Sequence, residues 1–111
     1  MEVLICSHDP MLVKELKNPL RDSGHIVTTV SHAAQAIKLM LHNQFNAAII
    51  DAGIFGLSAS ETLPVIRRIS PATRIIIAGD APFEQDVWTV SKPTALEEIK
   101  SILNINIKER E

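Results

Sequence analysis

The sequence predicts an α/β domain, a parallel sheet carrying helices on both faces. Two observations predict it. Short apolar runs recur at residues 3–6, 47–50 and 75–78, each ending in or followed by small or polar residues; such runs read as strands buried on both faces. Between them lie segments whose apolar residues recur at helical spacing, joined by short connections. Alternation of this kind gives a parallel sheet with crossover helices. The 111 residues fit one domain around one core.

Taken in order, Val3-Leu4-Ile5-Cys6 is the first strand. Asp9 then caps a helix that Pro10 opens, because Pro is tolerated at the first helical position. Leu12, Val13, Leu16 and Leu20 form its apolar stripe, and Ser23-Gly24 stops it. Pro19 lies inside this pattern and predicts a kink or an early end. Residues 25–30, rich in β-branched side chains, are the second strand. Ser31 is expected to cap a second helix with Ala33, Ile37, Met40 and Leu41 on one stripe. Ala47-Ala48-Ile49-Ile50-Asp51 is a third strand ending on an acid.

The third helix covers residues 60–69; Ser58 with Glu61 offers an alternative capping box, and Pro64 favours the later start. Residues 74–78 are the fourth strand and residues 87–90 the fifth. Thr94-Ala95-Leu96-Glu97 is a capping box opening a last helix, with Leu96, Ile99 and Leu103 inward. Residues 104–111 turn polar and form a tail or the start of a linker. In parallel sheets the chemistry lies at the carboxyl ends of the strands. That selects Ser7, His8, Asp9, Asp51, Ala78, Gly79 and Lys92.

Composition narrows the class. Hydrophobic residues make up 46% and charged residues 22%, with a net charge of −2 and both signs dispersed. A nucleic-acid surface needs clustered Lys and Arg, so direct nucleic-acid binding is not expected. No apolar run reaches the roughly 18 residues that span a bilayer, and the acidic start lacks the pattern of a secretory signal. A cytoplasmic location with no membrane association is expected. Cys6 is the single cysteine and reads as a small core residue. The four histidines, His8, His25, His32 and His42, show no ligand spacing, so a zinc site is not expected.

The start, Val3-Leu4-Ile5-Cys6-Ser7-His8-Asp9-Pro10, resembles the first strand and acidic cluster of response-regulator receiver domains. Residues 24–36 resemble that family's Gly, second strand and Ala-rich helix opening. Asn46-Ala47-Ala48-Ile49-Ile50-Asp51 is similar to the strand that presents the phosphoacceptor, and Ser91-Lys92-Pro93 to its Lys-Pro step. The resemblance covers residues 1–103. It implies a flavodoxin-like, doubly wound five-stranded parallel sheet of order 2-1-3-4-5.

It also implies chemistry: an acceptor carboxylate at Asp51 and a phosphate-binding ammonium at Lys92. In the family an acidic pair and the acceptor hold Mg²⁺, and a hydroxyl binds a phosphoryl oxygen. The implied partner is a sensor histidine kinase or another signalling protein in two-component-type signal transduction, with no enzymatic activity of the domain's own. A homodimer through the fourth-helix edge stays open.

The chain departs from that pattern at several positions. The acidic pair falls on Ser7 and His8, which weakens the expectation of Mg²⁺; Asp9 and Asp51 are the remaining metal candidates. The hydroxyl position falls on Ala78 and the switch aromatic on Thr89. The Pro and Gly of the loop after the acceptor fall on Phe55 and Ala59. Between Ala78 and Lys92 too few residues remain for both a strand and an average helix of about 11 residues, so the fourth helix is expected to be shortened or missing.

Each position has a plainer reading. Asp51 serves equally as a strand-end cap, Lys92 as its ion-pair partner, and His8 as a surface imidazole. Trp88 reads as core packing or as an exposed anchor, and Phe55 and Phe83 as cover or as a contact patch. Two functions follow: an atypical receiver acting as an interaction module with impaired or absent phosphorylation, or a working phosphoacceptor. A nucleotide- or flavin-binding domain is disfavoured, because Ser7-His8-Asp9-Pro10 replaces a Gly-rich phosphate loop.

Overall fold

The computed structural model describes residues 1–51, 59–79, 88–90 and 99. Its elements are β1 (Glu2–Cys6), α1 (Pro10–Asp22), β2 (Ile26–Val30), α2 (Ala33–His42), β3 (Ala47–Asp51), α3 (Ala59–Ile69), β4 (Arg74–Ala78) and β5 (Trp88–Val90). The sheet is parallel, with order β2-β1-β3-β4-β5. This is the doubly wound order expected. The segments assigned to a shortened fourth helix and to the last capping box lie outside the described residues.

Side chains alternate across the sheet with period two, and the sequence fills both faces. Val3, Ile5, Ala47, Ile49, Ile76 and Ala78 point to one face, where Leu12, Leu16 and Leu20 of α1 cover them together with Ile99. Leu4, Cys6, Ala48, Ile50, Ile75 and Ile77 point to the other, under Ala36 and Met40 of α2 and Leu63 and Ile66 of α3. β3 is buried along its whole length, whereas β2, at the edge, is half-buried to exposed.

Several local expectations change. α1 does not end early at Pro19; it runs to Asp22. The missing Pro19 N–H would have bonded the carbonyl of Glu15, an exposed residue on the outer side of the helix. Beyond Pro19 the helix is anchored by fully buried Leu20. Its end is closed by bonds from Ser23 N to the carbonyls of Pro19 (3.1 Å) and Leu20 (3.2 Å). Gly24, at φ 96°, supplies the left-handed residue that follows.

The N-cap of α2 is His32, not Ser31. Ser31 instead takes part through Gln35, whose Oε1 accepts from the Ser31 backbone N–H at 3.1 Å. Leu41, placed on the apolar stripe, is 58% exposed, because the stripe turns with the helix and the core ends at Met40. α3 begins at Ala59, one residue before the expected start.

Asp9 caps α1 as expected, its Oδ1 accepting from Met11 N at 3.0 Å. Replacing Asp9 by Ala is expected to lower stability by about 0.5–2 kcal/mol, read as a shift in the urea midpoint with an unchanged slope.

Candidate functional site

The period of two carries the β1 and β3 pattern past their last core residues. Val3 and Ile5 lead to Ser7, and Ala47 and Ile49 lead to Asp51, so both polar residues fall on the α1 face. Asp51 stands opposite Ala78 in the β3–β4 register. Ser7, Asp51 and Ala78 are therefore neighbours at the carboxyl edge of the three central strands, where a doubly wound sheet places its chemistry.

Ser7 and Asp51 are buried, at 4% and 5% exposure. The Ser7 hydroxyl donates to Asp51 Oδ2 at 2.8 Å. Its oxygen also accepts from the Asp9 backbone N–H at 3.0 Å. A hydroxyl has one proton, and here that proton is committed to the carboxylate. Ser7 N in turn donates to Val30 O at 3.0 Å, tying the end of β1 to the end of β2.

The structure brings only some of the sequence-selected residues together. Ser7, Asp51 and Ala78 come together. Asp9 is exposed, with one carboxylate oxygen engaged in the α1 cap. Thr89 stands opposite Ile77 and Trp88 opposite Ile76 in the β5 register. Lys92, Pro93, Phe55 and Phe83 lie outside the described residues. His8 is exposed and packs its ring edge-on against His32, with centroids 5.0 Å apart and planes at 68°. Reading along the sequence missed this pair, because it arises from the parallel pairing of β1 with β2 rather than from spacing.

Mg²⁺ is a hard cation that takes carboxylate and water oxygens in octahedral geometry. The described residues do not fit it. Ser7 presents a hydroxyl whose proton faces Asp51, His8 presents an imidazole, and Asp9 is engaged at the helix cap. Among the described residues no group of three or more His, Cys, Asp or Glu side chains is arranged to hold a metal ion.

Cys6 lies one residue before Ser7 but on the opposite face, in the core under α2 and α3. Burial, with a smaller contribution from the Asp51 charge, pushes its thiol up to about 11 from 9.0. The folded state thus holds the thiol proton more tightly than the unfolded chain. Stability from this group is complete below pH 9 and falls as pH rises towards 11. Alkylation by iodoacetamide at pH 8 is expected to be slow in the folded protein and fast in denaturant, since the thiolate is the nucleophile.

No protein-family model matches the chain, and no curated protein matches its sequence. Solved structures do match its fold. A CheY-like response regulator receiver domain protein from Methanospirillum hungatei JF-1 superposes with a TM-score of 0.83 at 19% identity, over 97% of this chain and 94% of that one. This is the receiver fold. The receiver domain of a sensor histidine kinase from Pseudomonas aeruginosa PAO1, solved with magnesium in its active-site cleft, matches with a TM-score of 0.76 at 21% identity, over 92% and 93% of the two chains. A protein described as an adenylate cyclase, from Rhodopirellula baltica, matches with a TM-score of 0.79 at 24% identity, over 96% and 87%. The receiver fold thus carries Ser7 and Asp51 at its carboxyl edge. Among the described residues no helix is long and apolar enough to cross a membrane.

Proposed function

We propose that this chain is an atypical receiver domain of two-component-type signal transduction. It acts mainly as a non-enzymatic protein-interaction module, with phosphorylation of Asp51 impaired or absent. The observation that carries this reading is the buried 2.8 Å bond from the Ser7 hydroxyl to Asp51 Oδ2. A neutral donor stands where a metal-binding receiver places an acid, and it engages the carboxylate that would attack phosphorus. Ala78, opposite Asp51, offers no hydroxyl to a phosphoryl oxygen. The partner class is a sensor histidine kinase or another signalling protein. In this reading the receiver-like domain comprises residues 1–103, and the polar residues 104–111 are a tail or the start of a linker.

A second reading keeps Asp51 as a working phosphoacceptor that takes a phosphoryl group from a histidine kinase, assisted by Lys92 and Asp9. It is favoured by the position of Asp51, a carboxylate at the carboxyl end of the central strand β3.

Intact-mass measurement after incubation with acetyl phosphate and Mg²⁺ separates the two. The expected result is no mass gain in a protein shown to be folded by circular dichroism. A gain of one phosphoryl group that is lost in Asp51→Asn overturns the first reading and establishes the second.

A further inference from the structure

We propose that His8 and His32 form a two-imidazole seat for a divalent transition-metal ion of the Zn²⁺ class, distinct from any hard-cation site at Asp51. The pair is built by the fold. His8 follows Ser7, whose backbone N–H bonds Val30 O at 3.0 Å. His32 follows Val30 by two residues and is the N-cap of α2. The two strand ends are thereby held side by side, and each delivers one imidazole to the same edge.

The ring spacing, once the edge-on rings rotate, suits one shared ion. Metal–nitrogen bonds of about 2.0–2.1 Å in a tetrahedral arrangement place two imidazole centroids roughly 5 Å apart; here the centroids are 5.0 Å apart with planes at 68°. The His32 side chain makes no hydrogen bond to the first turn of α2, so capping does not hold its nitrogens. Both residues are exposed, which leaves their rings able to rotate onto an ion and leaves the other coordination positions to water. Imidazole nitrogen selects Zn²⁺, Cu²⁺ or Ni²⁺ over Mg²⁺. Two protein ligands make the seat weak beside a three- or four-ligand structural site.

Titration of Zn²⁺ into the full chain by calorimetry tests this, with Mg²⁺ titrated separately and as a competitor. The expected result is one Zn²⁺ per chain, undisturbed by excess Mg²⁺. Affinity should fall at least about tenfold in His8→Ala and in His32→Ala, and stay unchanged in His42→Ala. Both substituted side chains are exposed, and thermal melts establish that the variants remain folded. The proposal is overturned by absence of Zn²⁺ binding to the parent, by binding insensitive to either substitution, or by an equal loss in His42→Ala. The site does not rest on the phosphorylation reading, because neither imidazole is Asp51 and the readout involves no phosphoryl donor.

Discussion

Replacing Ser7 and His8 together by Asp is expected to lower stability and to make it dependent on divalent cation. Ser7 is 4% exposed and its hydroxyl lies 2.8 Å from Asp51 Oδ2. A carboxylate there puts two like charges in hydrogen-bond range inside the protein, where neither is well solvated. It also removes the donor that now engages Asp51. Burying a second carboxylate beside the first costs several kcal/mol, so a loss of about 2–4 kcal/mol is expected in urea melts with EDTA.

Mg²⁺ is expected to reverse the sign of the problem, with the introduced acids and Asp51 as its ligands. At a free concentration a hundred times the Kd, binding returns about 2.7 kcal/mol. The parent protein should show no comparable gain with Mg²⁺, and only the variant should take a phosphoryl group from acetyl phosphate. Equal stabilisation of parent and variant by Mg²⁺ would mean that Ser7 is not what limits the site.

Truncating Ile49 to Ala is expected to cost about 2–5 kcal/mol. Ile49 sits at the middle of β3, paired with Ile5 on one side and Ile76 on the other. It is 1% exposed and packs within the cluster under α1. The strands that flank it, β1 and β4, are held in the sheet and limit collapse into the space, so a cavity adds to the lost transfer energy. Domains of this size have about 5–15 kcal/mol in total, so the loss is a large share. Leu41→Ala, at a side chain 58% exposed, should change stability by less than about 0.5 kcal/mol. A comparable midpoint shift in the two variants would contradict the assignment of the core.

The alternation of strand and helix was legible because it is written in local patterns. Continuous apolar runs mark β1, β3 and β4, and Asp9-Pro10 and Ser23-Gly24 mark the ends of α1. The residue types at the carboxyl edge were legible too, because Ser7, His8 and Ala78 are identities at countable positions. The exceptions were marginal local choices. Pro19 was absorbed near the end of a helix anchored by Leu20, and His32 took the cap that Ser31 was expected to hold.

What the sequence by itself determined is the order of elements, the two apolar faces and the residue types at the carboxyl edge. What only the tertiary structure decided is which of those residues meet. Ser7 and Asp51 are 44 positions apart and hydrogen-bonded, while Cys6, one residue away from Ser7, is turned into the opposite core. His8 and His32 share an edge that no spacing rule connects. The physical reason is the same in each case. Propensity and periodicity act over a few residues, whereas these contacts depend on strand order and register, which crossover connections and the packing of both faces set together.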